Sequence, residues 1–313
     1  MKKIVFILLI SNFLISLCSA ESPTLLSLTI NPSARAAGLG EAYSAVAEGI
    51  QGLYYNPAGI LTNNRPEIGF IHTDASASTE DSEKLYAIDS IGFLYPFKNN
   101  KVGFGFLFTD FKVPAIKSYD ETGQPLSDND NIEQKDNFVS FVGSVRLSDR
   151  FLFGAILKSI SSKFSGSLEF GPDSHDTGAV DTGIMYLNTT RRFTAGLVFA
   201  NLFGKIKYFS VNESLPMATR IGVAYRFFKE KNLLLSFDIN SIKDAGESSP
   251  NIGLEWNYNW LSIRTGILPK FDNPTLNLGL WLKLKQAKFF RLLTKRRCLQ
   301  KNFVLLVKQL LRN

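Results

Sequence analysis

From residue 65 to residue 284 the apolar side chains of this chain recur at every second position, segment after segment. Period two belongs to a β-strand, whose successive side chains point to opposite faces; a helix repeats every 3.6 residues and scrambles such a pattern. In 220–228, Ile221, Val223, Tyr225 and Phe227 share one face, and Arg220, Gly222, Ala224 and Arg226 share the other. In 251–258, Ile252, Leu254, Trp256 and Tyr258 oppose Asn251, Gly253, Glu255 and Asn257. The same split sets Leu261, Ile263, Thr265 and Ile267 against Ser262, Arg264 and Gly266, and Leu276, Leu278, Leu280 and Leu282 against Asn277, Gly279, Trp281 and Lys283. Twelve strands are predicted, at about 65–73, 85–97, 101–113, 136–148, 151–163, 176–187, 191–203, 217–228, 232–242, 250–258, 260–268 and 274–284.

The connections alternate as well. The links after the even-numbered strands are tight (98–100, 148–150, 188–190, 228–231 and around Asn259), while those after the odd-numbered ones are longer or more polar, the longest being 114–135. Short turns at one end and long loops at the other, with a bulky apolar face opposed to one rich in Gly, Ser, Asn and charge, describe a membrane-spanning barrel with its short turns in the periplasm. A secreted soluble β-protein also alternates along its strands, but it has no reason to alternate its loop lengths. The predicted fold class is therefore all-β, a transmembrane antiparallel β-barrel. Tyr86, Tyr95, Tyr186, Tyr225, Tyr258, Trp256 and Trp260 fall near strand ends, where interfacial aromatic girdles sit. Gly103, Gly105, Gly143, Gly154, Gly183 and Gly196 lie on the predicted wall, where glycine makes room for a close backbone or marks a side gap.

Export fits this reading. Met1-Lys2-Lys3, the apolar run 4–17 and Cys18-Ser19-Ala20 have the charged start, greasy middle and small-residue end of a secretory signal peptide. A lipidated Cys18 is the weaker alternative, because bulky Leu17 precedes it. With Cys18 removed, only Cys298 remains and no intramolecular disulfide is available. The net charge of +7 is concentrated at the far end, where 285–313 holds nine Lys or Arg and no acid. The rest is slightly acidic, which argues against nucleic acid as a partner. Nothing after the signal reaches the run of about 18 apolar residues that a spanning helix requires, so any crossing is made by strands.

Residues 31–61 are the one stretch of the mature body that does not read as strands. Two Asn-Pro pairs, Asn31-Pro32 and Asn56-Pro57, each suit a helix start, since Asn caps orphan backbone N–H groups and Pro needs no donor in the first turn. Between them Gly38, Gly40, Gly49 and Gly52 punctuate a stretch rich in Ala and Ser. Small side chains let such a segment pack closely against a wall, as a plug inside a barrel must. The predicted divisions are a signal peptide (1–20), an N-terminal hatch (21–63), a barrel (64–284) and a basic tail (285–313).

The run Ala34-Arg35-Ala36-Ala37-Gly38-Leu39-Gly40-Glu41-Ala42-Tyr43, then Ala45-Val46-Ala47 and Leu53-Tyr54-Tyr55-Asn56-Pro57-Ala58-Gly59, resembles the FadL-like outer-membrane proteins, in the branch with PorV, PorQ and spirochaete-type relatives. The resemblance implies a monomeric barrel of fourteen strands, of which about twelve are readable, with a helical hatch filling the lumen. It implies Arg35, Gly38, Gly40, Asn56, Pro57, Ala58 and Gly59 as the hatch motif, and assigns no ligand contacts. It also implies passive uptake of hydrophobic compounds such as long-chain fatty acids through the plugged lumen and out by a lateral exit. The alternatives are a PorV-like, non-transporting surface component of a secretion system that engages secreted proteins, or a structural or adhesive surface protein. Outer-membrane lipid, hydrophobic small molecules and the barrel-assembly machinery are the expected partners.

No catalytic or metal residues are predicted, and no cofactor. Asp128-Asn129-Asp130-Asn131 lacks the Gly and distant Glu of a calcium loop, and His72 and His175 sit in no metal spacing. The tail loses the alternation: Phe289-Phe290-Arg291-Leu292-Leu293 and Phe303-Val304-Leu305-Leu306-Val307 stand between basic clusters. It is read as helical, either lying on an anionic membrane surface or standing, through a shifted reading frame, where two strands are missing.

Overall fold

A computed structural model describes residues 25–77, 84–97, 99–116, 132–165, 173–208, 211–243, 247–268, 275–283, 287–295 and 298–307. The signal peptide and the Asp128–Asn131 stretch lie outside them. The first half of the wall is β1 (Glu67–Ala77), β2 (Lys84–Pro96), β3 (Val102–Ile116), β4 (Ile132–Arg146), β5 (Phe151–Ser165), β6 (Asp173–Leu187) and β7 (Phe193–Leu202). A small hairpin follows, β8 (Lys205–Tyr208) and β9 (Val211–Ser214). The second half is β10 (Ala218–Phe227), β11 (Leu233–Ile242), β12 (Glu247–Tyr258), β13 (Leu261–Leu268), β14 (Thr275–Lys283), β15 (Ala287–Lys295) and β16 (Cys298–Val307). Each wall strand pairs with its neighbours, and β16 pairs with β1, so the sheet closes into a barrel with β8–β9 as a separate two-stranded sheet.

The pleat sorts the side chains as the alternation predicts. Ile221, Val223, Tyr225 and Phe227 are exposed on the outer surface, whereas Arg220, Gly222 and Ala224 are buried in the lumen. Ile91, Phe104, Phe141, Leu157, Ile184, Leu254, Ile263 and Leu280 continue an exposed apolar band around the wall. A contiguous belt of this kind is unfavourable in water and matches hydrocarbon. The aromatic expectation is corrected at one position: Tyr86 points inward and stacks on Phe111, with ring centroids 5.5 Å apart.

The tail also differs from its prediction. Residues 287–295 and 298–307 are strands, not helix: β15 runs from Leu276↔Lys295 to Lys283↔Lys288 along β14, and β16 runs from Ile68↔Val307 to Ala77↔Cys298 along β1. Without them β14 and β1 would each present a row of unpaired N–H and C=O groups, which a bilayer cannot hydrate. Backbone pairing supplies those bonds whatever the side-chain pattern, so the closing strands carry no alternation to read.

Candidate functional site: a hatch and the chamber above it

Inside the barrel the N-terminal segment forms short 3-10 turns at Leu26–Thr29, Gly49–Gln51 and Pro57–Thr62 and short α-helices at Ala34–Gly38 and Gly52–Tyr55. The two Asn-Pro pairs act differently. Asn56 caps Pro57–Thr62 by accepting from the Ala58 N–H at 3.1 Å, with Pro57 in the first turn. At the first pair the cap is Ser33, whose Oγ accepts from the Ala36 N–H at 3.2 Å; Asn31 Oδ1 accepts from the Ser33 N–H at 2.8 Å and shapes the approach. The expectation that Asn31 starts the helix is thereby moved two residues on.

Polar side chains of the wall hold the hatch by its backbone. Asp238 on β11 accepts from the Tyr43 and Ser44 N–H groups at 3.1 and 2.7 Å. Glu67 on β1 accepts from the Ile50 N–H at 3.0 Å, and Arg146 on β4 donates to the Leu61 carbonyl at 2.9 Å. Asn56 Nδ2 donates to the Ser44 carbonyl at 2.8 Å, tying the two halves of the hatch together. Each bond satisfies a backbone group that the short helices and turns of the hatch leave unpaired.

At the centre is a buried charge cluster. Arg35 donates through Nε and Nη2 to both oxygens of Glu255 at 2.8 Å each, and through Nη1 to Glu48. Arg264 also donates to Glu255, so one carboxylate serves two guanidiniums. Burial by itself would lower the Arg35 pKa; the Glu255 and Glu48 carboxylates outweigh it and hold that pKa above its ordinary value. Arg35 stays charged. Burial likewise pushes the Tyr43 hydroxyl up to about 12, and the neighbouring Arg35 guanidinium, 5.7 Å from the Tyr43 ring centre, only partly offsets this.

Five of the six wall glycines touch the hatch. A side chain at Gly103 would meet Leu61, at Gly105 Leu53, at Gly154 Pro57 and Ala58, at Gly183 Asn56 and at Gly196 Ser44; Gly143 meets nothing within 4 Å. These five make room for the plug rather than a gap. The hatch answers in kind: Gly40 has φ +60°, and a Cβ there would lie 2.7 Å from the backbone of Ile267. Gly38 packs on Arg264 and Gly279, and Gly59 on the Ala47 carbonyl. Of the predicted motif, then, Arg35, Gly38 and Gly40 face β12–β14 while Asn56, Pro57 and Ala58 face β4–β6, and Gly59 closes the hatch on itself.

Toward the long-loop end the lumen changes character. The inward faces of β2–β6 present Ile88, Phe111, Phe138, Ile160 and Ala179, and Leu25 and Leu28 of the N-terminal segment lie on this apolar surface, capped by Ile206 of the hairpin and Leu215. Beside it is a chamber of about 170 Å³ lined by Leu28, Ile30, Asn31, Glu41, Arg220 and Asn240, among others. Arg220 is 8% exposed and its guanidinium stacks on Tyr55 at 4.8 Å, leaving Nη1 without a hydrogen-bond partner. Asn31 Nδ2 is a second buried donor without one. The sequence had shown Arg220 only as the polar face of a strand. Its stacking partner is 165 positions away in the chain, and no local signal marks the pair.

Fold and site together define a closed antiparallel β-barrel with an apolar outer belt and a lumen plugged by its own N-terminal segment. No family model matches the sequence, and no curated protein does. Solved structures do match. The Ralstonia pickettii toluene transporter TbuX aligns over 89% of this chain and 97% of its own, at 14% identity and a TM-score of 0.61. The Pseudomonas putida toluene transporter TodX aligns over 86% and 95%, at 10% identity and 0.60. A Pseudomonas aeruginosa FadL homologue aligns over 86% and 96%, at 10% identity and 0.50. At these identities the likeness is one of fold.

Proposed function

We propose that the protein is an outer-membrane barrel for passive transport of hydrophobic compounds such as long-chain fatty acids. The observation that carries this reading is the apolar surface inside the lumen, formed by Ile88, Phe111, Phe138 and Ile160 and covered by Leu25 and Leu28. A water-filled pore gains nothing from such a lining, whereas a hydrophobic solute needs one before it reaches the hatch. Arg220 Nη1 and Asn31 Nδ2, on the adjoining chamber, suit the carboxylate of a fatty acid. For a lateral exit the supporting feature is the register shift between β6 and β7 at Val180/Thr182, where Asn201 adopts φ +58° and the wall is irregular.

The test is uptake of labelled oleate and labelled toluene by vesicles containing the full chain. Both are expected to enter faster than in empty vesicles. Arg220→Met is expected to weaken oleate binding by roughly tenfold or more, the worth of one charge-assisted hydrogen bond, and to leave toluene unchanged. Uptake of neither compound above the empty-vesicle rate overturns the proposal.

A further inference from the structure

The short-turn end of the barrel carries a lopsided charge that the transport reading does not use. The segments 97–101, 146–150, 188–192 and 226–232 contain, among the described residues, eight cations: Lys101, Arg146, Arg150, Arg191, Arg192, Arg226, Lys229 and Lys231. Against them stand two carboxylates, Asp149 and Glu230. The four turns form an arc from β2 to β11; the next turn, Asn259-Trp260 between β12 and β13, holds no charge, and Lys283 and Lys288 flank the one after it. Three of the eight have duties in the fold or at the hatch. Arg146 donates to the Leu61 and Asn100 carbonyls, Lys231 donates to the Thr190 carbonyl and Arg226 lies near Glu48. Lys101, Arg150, Arg191 and Lys229 are exposed.

The turns also expose apolar side chains. Phe97, Leu147 and Phe228 are 53%, 64% and 60% exposed, and each lies within four residues of Lys101, Arg150 or Lys229. Directly above them on the outer wall are Tyr95, Phe151, Tyr225 and Phe227, also exposed. Rings at the edge of the outer wall, then an apolar side chain and a cation in the turn, repeated at three of the four turns, is the sequence of environments met on leaving hydrocarbon through the headgroup layer. A protein partner would need none of the outward-facing rings.

We infer that this arc binds the anionic headgroups of phospholipids in the periplasmic leaflet. The exposed cations meet the phosphate and the second negative charge of an acidic lipid, while Phe97, Leu147 and Phe228 sit among its acyl chains near the glycerol. Attraction of this type is worth about fivefold in binding per Lys or Arg at an anionic surface. The inference is independent of what the lumen carries.

The experiment uses the full chain in mild detergent, with phosphatidylglycerol and phosphatidylethanolamine of matched acyl chains offered together and the retained lipid counted by native mass spectrometry. The wild type is expected to retain phosphatidylglycerol in preference, and high salt to erase the preference. The triple substitution Arg150→Gln, Arg191→Gln, Lys229→Gln is expected to reduce the preference by tenfold or more while the folded barrel keeps its anomalous gel mobility before heating. Equal retention of the two lipids by the wild type overturns the inference. So does an undiminished preference in the folded triple variant, or displacement of the lipid by an acidic protein that binds the same turns more tightly.

Discussion

Glu255 is the position at which a single change should disturb the hatch most. The carboxylate is 2% exposed and is shared by Arg35 and Arg264, which are 9% and 2% exposed; Glu48, the other acid of the cluster, has a side chain that is 46% exposed. With Glu255→Leu the lumen keeps two buried cations, and Glu48, the acid still paired with Arg35, is half in water. Breaking a buried pair from one side costs about 3–5 kcal/mol. Arg264→Met leaves Arg35 bidentate on Glu255 and the surplus negative charge on solvated Glu48, at a cost of about 1 kcal/mol. The double variant leaves the Arg35–Glu48 pair in a less polar lumen and should recover most of the loss. Urea unfolding in phospholipid vesicles reads this directly through tryptophan fluorescence, since Trp256, Trp260 and Trp281 all lie between β12 and β14. The reasoning is refuted if Glu255→Leu costs no more than Arg264→Met, or if the double variant is as unstable as Glu255→Leu alone.

Three further outcomes are expected. Gly40→Ala forces a side chain into a left-handed backbone and against Ile267; it should destabilise by about 2 kcal/mol or more and raise ion conductance in planar bilayers, an unchanged closed state counting against close hatch–wall packing. Asn56→Ala removes the cap to Ala58 and the bond to the Ser44 carbonyl, so a loss of about 1–3 kcal/mol in the same urea assay is expected. Leu28→Ala uncovers part of the Phe111–Phe138 surface and should tighten binding of an apolar probe, because the probe no longer displaces the full side chain; weaker binding would show that Leu28 helps form the site instead.

Much of this architecture is legible in the chain itself because strand period, turn length and capping are local. The alternation of 220–228 or 251–258 fixes which side chains face lipid and which face the lumen, since the pleat leaves no other choice. The Ala- and Gly-rich run of 31–61 marks the plug for the same kind of reason: only small residues fit where another backbone lies against them. The hairpin β8–β9 was not legible, because its two strands are too short to show a period.

What the tertiary structure alone decided is long-range. Arg35 and Glu255 are 220 positions apart, and nothing near either names the other; the pairing exists because both are sealed in one lumen where an unpaired charge is costly. The glycines of the wall show the same dependence, since Gly154 and Gly183 have a reason only once Pro57 and Asn56 lie against them. Closure is the clearest case. Residues 287–307 carry no two-faced pattern, yet as β15 and β16 they join β14 to β1, because edge strands are satisfied by backbone hydrogen bonds, which every non-proline residue offers alike.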